Sequence, residues 1–411
     1  MSFSRPAVRA YRRTGKLRGK NRQEYHISQR NPEENSELTT NTGNHTARVA
    51  STPPKPYSLS VPEEALADLR QRLARTRFAD EPPLEPWATG TSLAYLKDLL
   101  HYWQSGFDWR AQEAKLNAFR QYKASVRGTE LHFIHEPGRG ARPVPLLLMH
   151  GWPGSVWEFH RLIPLLTDHF TVVAPSLPGF TLSFAPGQRR FGVEEMADHF
   201  AELMSLLGYE RFVAQGGDWG AFIAARLGYA HARRVAGIHL NYLPVRRDAP
   251  GDDSDWARQL AHWSREESGY ISIQGTKPQT LAYGLADSPA GLAAWIAEKF
   301  RGWSDQPISR EDLLTNVSLY WFTGAIGSSF WPYYARAHRG WPIPEGGTVE
   351  VPVGYAEFPK EILRPPRALA ARTYTRIVRW TTMQKGGHFA ALEQPEALAS
   401  EVIQFFKPSG G

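Results

Sequence analysis

Asp218 lies at the centre of AQGGDWGAFIAARLGYA, residues 214–230, in a setting suited to a nucleophile. Two glycines precede it and Gly220 follows, so a strand could turn sharply into a helix where larger side chains would clash. Enzymes that use such a turn usually present a serine there. A carboxylate is already ionised at neutral pH and can attack a saturated carbon. The alternative is a glycine-rich turn in which Asp218 only caps the helix.

The segment HGWPGS, residues 150–155, follows the apolar run VPLLLMH. A loop at this place can offer a backbone N–H to an oxyanion, together with the N–H of the residue after the nucleophile. We therefore expect the main chains of Trp152 and Trp219 to form an oxyanion hole. The alternative is an ordinary turn between a strand and a helix.

His388 is the histidine best placed to act as a base. It lies in QKGGHFAALEQPE, a glycine-rich loop between the last predicted strand and the last predicted helix. A carboxylate that orients it is expected in the loop after the preceding strand, where EFPKEIL offers Glu357 and Glu361. The spacing alone does not choose between these two.

These side chains need a sheet that brings the ends of several strands together. Short apolar runs predict its strands at 131–136, 144–150, 170–176, 211–217, 235–241, 351–357 and 376–383. Helical stretches such as VEEMADHFAELMSLLG alternate with them. This alternation is typical of an α/β fold with a mostly parallel, doubly wound sheet.

Two regions interrupt or precede the alternation. Residues 62–75 predict a helix that buries Leu66, Leu69 and Leu73, and helical sequence continues to about residue 125. Residues 243–345 are rich in Trp, Tyr and small side chains and predict a helical lid inserted into the α/β core.

The composition limits the classes of function. The chain has 411 residues, no cysteine and a net charge of +7, and its first 50 residues hold ten Lys/Arg against four Glu. The body is therefore nearly neutral, and we expect a disordered basic tail, with a targeting peptide or a nucleic-acid arm as alternatives. The lack of cysteine excludes disulfides and thiolate metal sites. Without an apolar run that could span a membrane or an export signal, we expect a soluble, cytoplasmic protein.

Seven motifs in order give the sequence a specific resemblance. They are HGWPGS, GGDWG, ESGY, DSPAGLAAWIAEKFRGWSD, LYWFTGAIGSS, FPKEIL and GGHFAALEQPE. Together they resemble the microsomal-type epoxide hydrolases of the α/β-hydrolase superfamily, over about residues 55–408. The resemblance implies a tail at 1–54, an N-terminal epoxide hydrolase domain at 55–128, α/β-hydrolase core at 129–242 and 346–411, and a helical cap at 243–345.

The resemblance also implies a role for each site residue. Asp218 becomes the nucleophile, His388 the general base and Glu361 the residue that orients it. Tyr270 in ESGY and Tyr333 in SSFWPYYAR match two cap tyrosines that donate hydrogen bonds to the epoxide oxygen. Tyr334, adjacent to Tyr333, is the alternative for the second tyrosine.

The implied reaction converts an apolar epoxide and water to a vicinal diol without a metal or an organic cofactor. The polar tail replaces the apolar anchor of membrane-bound members, so no membrane span is expected. The expected partners are the epoxide and water and no nucleic acid, and a homodimer is left open. A haloalkane dehalogenase would also use an aspartate, but with donors shaped for a halide. A ligand-binding protein on the same fold is the third interpretation, and the joint presence of Asp218, Glu361 and His388 weighs against it.

Overall fold

The structure is a computed structural model that describes residues 51–246 and 254–406. The fold of these residues is built around one sheet. Its nine strands in this part of the chain are β1 (Lys55–Tyr57), β2 (Gln121–Val126), β3 (Thr129–Glu136), β4 (Val144–Met149), β5 (Phe170–Pro175), β6 (Phe212–Gly216), β7 (Val235–Leu240), β8 (Val353–Glu357) and β9 (Ile377–Thr382).

The strand order is β1-β2-β3-β5-β4-β6-β7-β8-β9. Pairing is antiparallel from β1 to β5 and parallel from β5 to β9. β5 lies on one side of β4, and β6 and β7 lie on the other. The connections that leave β4 and β6 therefore run in opposite directions across the sheet. Such a reversal opens a crevice at the carboxyl ends of the strands. Met149 pairs with Gly216 there, which makes the loops after β4 and β6 neighbours.

Helices cover both faces of the sheet. Outside the inserted region they are α1 (Glu63–Ala74), α2 (Leu93–Ser105), α3 (Trp109–Asn117), α4 (Leu162–Leu166), α5 (Val193–Leu206), α6 (Asp218–Ala230), α14 (Arg367–Ala370), α15 (Ala390–Glu393) and α16 (Pro395–Phe406). Two 3-10 helices occupy Val156–Phe159 and Thr181–Ser183. Helix α6 packs on β6 and β7, and β5 is buried along its whole length.

The described residues between β7 and β8 are mostly helical, as the sequence predicts. They contain α7 (Ser254–Glu266), α8 (Gly269–Thr276), α9 (Pro278–Asp287), α10 (Pro289–Trp303), α11 (Arg310–Thr323), α12 (Ile326–Ser329) and α13 (Trp331–Arg339). No helix among the described residues has the length and apolar character needed to cross a bilayer.

All seven predicted strands are confirmed, with ends within two residues of the prediction. Leu66, Leu69 and Leu73 are each 5% exposed, so the predicted buried face of α1 is also confirmed. The predicted basic tail falls almost entirely outside the described residues. The domain boundaries drawn from the resemblance stay predictions.

The prediction that helix continues to about residue 125 is wrong, because α3 ends at Asn117 and β2 follows at Gln121. β2 and β3 form a hairpin in which Arg127 and Gly128 take φ values of 51° and 79°. Two consecutive positive φ angles are typical of the tight turn that suits strand twist. The dipeptide Arg127-Gly128 was the sequence signal for this turn. The polar Lys123 interrupts the apolar pattern of QYKASV, so the strand was not predicted.

Candidate active site

Asp218 sits on a strained turn where β6 meets α6. Its φ is +46°, which is unusual for a residue with a side chain. An added Cβ at Gly216 would lie 2.3 Å from Gly220, and one at Gly220 would lie 2.1 Å from the Met149 carbonyl. Only glycine therefore fits on either side of the aspartate. Gly217 occupies the N-cap position of α6 and Asp218 is the first helical residue, so the interpretation of Asp218 as the cap is wrong.

The loop after β4 holds one oxygen of this carboxylate. The backbone N–H of Trp152 donates to Asp218 Oδ1 at 2.7 Å. A Cβ at Gly151 would lie 2.2 Å from the same oxygen, so this position also needs glycine. Trp219 follows Asp218 in α6 and stays the predicted second donor.

His150 stabilises this loop. The N–H of Leu177 donates to His150 Nε2 at 3.1 Å, and His150 Nδ1 contacts the Gly151 carbonyl at 3.0 Å. Burial lowers the pKa of His150 to about 4, so the ring is neutral at pH 7. Because Nε2 accepts a hydrogen bond, the single proton of the neutral ring must be on Nδ1.

His388 bridges two carboxylates. Its Nδ1 lies 2.6 Å from Glu361 Oε1, and its Nε2 lies 3.5 Å from Asp218 Oδ2. Glu357 instead accepts hydrogen bonds from the Trp380 indole and the Thr382 hydroxyl. Of the two carboxylates that sequence spacing left open, the structure brings only Glu361 to the imidazole.

The two carboxylates set the charge of His388. Burial by itself disfavours an imidazolium, but the charge and hydrogen bond of Glu361 and those of Asp218 raise the pKa of His388 well above its usual value. The imidazole is therefore protonated as long as Asp218 carries its negative charge. Removing the charge of Asp218 would remove part of what holds this proton.

Tyr270 and Tyr333 border the same cavity as Asp218 and both contact the Trp152 ring. The Tyr270 ring stacks on Trp152 with centroids 5.5 Å apart, and Tyr333 packs edge-on against the same indole at 5.7 Å. The two tyrosine rings are 5.7 Å apart. The structure thus brings both predicted donors to the cavity that Asp218 borders, from helices α8 and α13.

The neighbour Tyr334 points elsewhere. It stacks on Trp331 at 4.8 Å and on His338 at 4.0 Å, whereas Tyr333 is buried and borders the same cavity as Asp218. Burial, with the neighbouring Tyr270 and the charge of Asp218, raises the pKa of Tyr333 well above its usual value. Tyr333 therefore keeps its proton and can donate a hydrogen bond.

An apolar cavity of about 520 Å³ opens from Asp218 under the helical insertion. Its walls are mostly aromatic and aliphatic, and include Trp219, Phe222, Tyr242, Val245, Trp263, Ile271, Trp341 and Ile362. The Trp219, Phe222 and Trp341 rings contact in sequence, with centroids 5.0 and 5.4 Å apart. This lining suits a small apolar molecule whose reactive carbon reaches the carboxylate.

A second, much smaller cavity lies on the other side of Asp218. Its volume is about 20 Å³, enough for one water molecule, and Glu158, His388 and Asn241 are among its lining residues. Gln215 also borders it and is 1% exposed, and its Oε1 has no hydrogen-bond partner among the described residues. A buried polar atom beside a polar cavity of this size is suited to binding a water.

Glu158 is the functional candidate that sequence reasoning missed. Burial raises its pKa to about 8, with His388 opposing and Asp218 adding to the effect, so the carboxyl is protonated at neutral pH. A Cβ at Gly154 would overlap Glu158 Oε1. The signal was present in HGWPGSVWE, because the last glycine of the motif makes room for this carboxyl.

In the described residues, no three His, Asp or Glu side chains are grouped so as to hold a metal ion.

Comparison with known proteins shows the family and the fold. A family model for the epoxide hydrolase N terminus matches residues 54–159, and one for the α/β-hydrolase fold matches residues 144–267. A relative from Stigmatella aurantiaca is 41% identical, over 86% of this chain and 84% of its own. Epoxide hydrolase 1 of Oryctolagus cuniculus is 36% identical, over 85% and 88% respectively.

The chain belongs to the epoxide hydrolases. The crystal structure of juvenile hormone epoxide hydrolase from the silkworm Bombyx mori superposes with a TM-score of 0.80 at 30% identity, covering 86% of this chain and 94% of that one. The α/β-hydrolase fold and the family resemblance expected from the motifs are confirmed. The role of each site residue is a separate matter, which rests on the geometry above.

Proposed function

We propose that this epoxide hydrolase opens an apolar epoxide through a covalent ester on Asp218, which water then hydrolyses. The arrangement of the Asp218 carboxylate carries this proposal. Oδ1 accepts the N–H of Trp152 at 2.7 Å, and Oδ2 faces His388 at 3.5 Å. One oxygen is thus held in place, and the other is left to attack.

In the first half-reaction Asp218 Oδ2 displaces the epoxide oxygen from a saturated carbon. Negative charge develops on that oxygen, and Tyr270 and Tyr333 lie above the nucleophile to meet it with hydrogen bonds. One tyrosine transfers its proton, which leaves a hydroxyl on the substrate and a tyrosinate in the cap.

In the second half-reaction water attacks the carbonyl carbon of the ester, which belongs to Asp218. The backbone N–H of Trp152, and that of Trp219 as predicted, stabilise the oxyanion. His388 takes the proton of this water, and Glu361 holds the ring in place at 2.6 Å. The 20 Å³ cavity beside Glu158 is the site from which we expect the water to attack.

The charge on Asp218 sets the order of these steps. Ester formation removes that charge, so the pKa of His388 falls, and its proton can pass to the tyrosinate. The neutral imidazole then accepts a proton from water. Collapse of the tetrahedral intermediate expels the diol oxygen, which takes the proton of the released Asp218 carboxylic acid. This restores ionised Asp218, protonated His388 and the neutral tyrosine.

Trapping the ester tests the proposal. In His388→Gln the first half-reaction still runs, so the intact mass should rise by one substrate and peptide mapping should place the addition on Asp218. Asp218→Ala should gain nothing, and His101→Gln, a change at an exposed histidine, should turn over normally. In one turnover of the native enzyme in oxygen-18 water, the diol should carry unlabelled oxygen. Labelled first-turnover diol with no adduct in His388→Gln would refute the role of Asp218 as nucleophile.

The same proteins separate the other candidates. A haloalkane dehalogenase would release halide from a haloalkane and leave epoxides intact, and a binding protein would be stabilised by epoxide without forming diol. The cytoplasmic location, the possible homodimer and the absence of nucleic-acid binding stay predictions.

A further inference from the structure

A buried lysine lies beside one of the two proposed donors. Lys299 is on α10 and is 4% exposed. Its Nζ lies 4.6 Å from the centroid of the Tyr270 ring and 5.6 Å from that of Trp303. Its carboxylate partner is Glu298, with Nζ and Oε2 2.5 Å apart. None of the roles assigned above uses this ammonium group.

Burying an ammonium group is costly unless something replaces its water. Here Glu298 does so on one side and two aromatic faces on the other. A purely structural interpretation is that the lysine joins α10 to α8. That interpretation explains why the ammonium is tolerated, but not why its aromatic partner is a tyrosine at the nucleophile.

The ammonium group of Lys299 interacts differently with the neutral and the ionised form of Tyr270. A cation over the ring attracts a neutral phenol weakly and a phenolate strongly, because the phenolate carries a full charge. Tyr333 is in the opposite situation, since burial, Tyr270 and Asp218 all disfavour its ionised form. Tyr270 can therefore release its proton more readily than Tyr333.

We propose that Lys299 makes Tyr270 the acid that gives its proton to the epoxide oxygen, while Tyr333 only donates a hydrogen bond. The O–H bond of Tyr270 breaks, a new O–H bond forms on the former epoxide oxygen, and the electron pair stays on the phenolate beside Lys299. His388 later returns the proton. The inference rests on the proposed function, and Lys299 is a positioning residue because it acts through Tyr270.

Other charged and titratable groups share this environment. Asp218, Tyr333, Arg246 and Arg336 border the same cavity as Tyr270. All of them remain in place when only Lys299 is changed. The neutral variants also leave Glu298 without its cationic partner, whereas Lys299→Arg keeps that pair.

The test measures the alkylation half-reaction alone, as the rate of adduct formation in the His388→Gln background. We expect Lys299→Met to slow alkylation on the order of 10–100-fold, which is part of the rate gain that general acid catalysis supplies. The alkaline limb of the pH profile of alkylation, where Tyr270 loses its proton, should move to higher pH. Lys299→Arg keeps the charge and should restore the rate and the limb. Lys299→Gln provides the neutral variant if the Met protein does not fold.

Double variants decide between the two tyrosines. In Tyr270→Phe the lysine has no acid to act on, so adding Lys299→Met should slow alkylation little further. In Tyr333→Phe the same addition should multiply the loss. The proposal is overturned if the neutral variants leave the alkaline limb in place, or if the coupling appears with Tyr333 instead. An intact adduct on Asp218 in these proteins keeps the proposed function standing in either case.

Discussion

Glu158 and Glu361 are two carboxyl groups close to His388 with opposite tasks. Glu361 is 5% exposed and faces the ring nitrogen, so its charge supports an imidazolium. Burial raises the pKa of Glu158 to about 8, so at neutral pH it is an uncharged group that can both donate and accept. In the proposed mechanism one acid therefore tunes the base, and the other is suited to holding the water that the base deprotonates.

Changing Glu158 should affect the second half-reaction only. Glu158→Gln keeps a neutral donor and acceptor, so we expect hydrolysis of the ester near the native rate at pH 7. Glu158→Leu removes the polar partner of the water and should slow hydrolysis on the order of 10–100-fold, with alkylation unchanged. Single-turnover kinetics separate the two steps. Equal slowing of alkylation in both variants would contradict a role confined to the water.

The same group should make stability depend on pH. Between the usual value of 4.5 and about 8, the native chain keeps a proton on Glu158 that the unfolded chain has lost. The contribution of Glu158 to stability therefore falls as pH rises through this window and is constant above it. Melting curves from pH 5 to 9 should show a smaller decline in Glu158→Gln than in the native protein.

Motif chemistry predicted Asp218, Trp152 and His388 from the sequence, because turns and loops that carry nucleophiles need glycines at fixed places. Spacing could not separate Glu357 from Glu361, since both follow β8 within a few residues and only the direction of each side chain differs. Glu158 was missed because its environment is made by distant parts of the chain, namely the ends of β4 and β6 and the residues after β7 and β9. A raised pKa of that kind has no signature in the local sequence.

At the scale of elements, the site depends on how closely β4, β6 and α6 approach. Gly216 and Gly220 allow α6 to begin against β4, and Gly151 lets the next loop touch the carboxylate. The parallel strands were predictable from apolar runs. The hairpin strand β2 was not, because its buried residues Gln121, Ala124 and Val126 do not alternate and its sequence contains a lysine.

Gly151→Ala tests this approach. The added Cβ would lie 2.2 Å from Asp218 Oδ1, so the carboxylate or the Trp152 N–H must move. We expect loss of diol formation by at least about 10²-fold, as for a misplaced catalytic group. Gly284→Ala is the matched control, because an added Cβ meets nothing within 4 Å in helix α9. It should keep activity and melt slightly higher.

The direction of α13 decides which of two adjacent tyrosines acts. Successive residues on a helix point about 100° apart, so Tyr333 borders the cavity while Tyr334 stacks on Trp331. We expect Tyr333→Phe to slow alkylation on the order of 10²-fold and Tyr334→Phe to leave it unchanged. The opposite result, measured as adduct formation in His388→Gln, would move the donor to Tyr334.

At the scale of the whole molecule, the edge of the sheet opposite β9 is closed by the residues just before the first helix. β1 pairs with β2 from Lys55 to Tyr57, and Thr52 exchanges backbone and side-chain hydrogen bonds with Ser125 at 3.0 and 3.1 Å. These contacts cover backbone groups of β2 that would otherwise form an open edge. The sequence could place the start of the core near residue 57, but not this strand, since three residues are too few for a periodic pattern.

Two truncations separate the tail from this edge strand. Removing residues 1–50 deletes most of the excess positive charge but none of the contacts made by Thr52 and β1, so melting temperature and diol formation should match the full chain. Removing residues 1–57 strips β1 from β2 and leaves its N–H and C=O groups unpaired. Because each lost hydrogen bond is worth about 0.5–1.5 kcal/mol, we expect melting to fall by a few degrees and aggregation to increase. Scanning calorimetry and light scattering of the three proteins measure both effects. A large loss of stability on removing only residues 1–50 would mean that the basic segment binds to the body, and equal behaviour of both truncations would mean that β1 contributes nothing to the sheet.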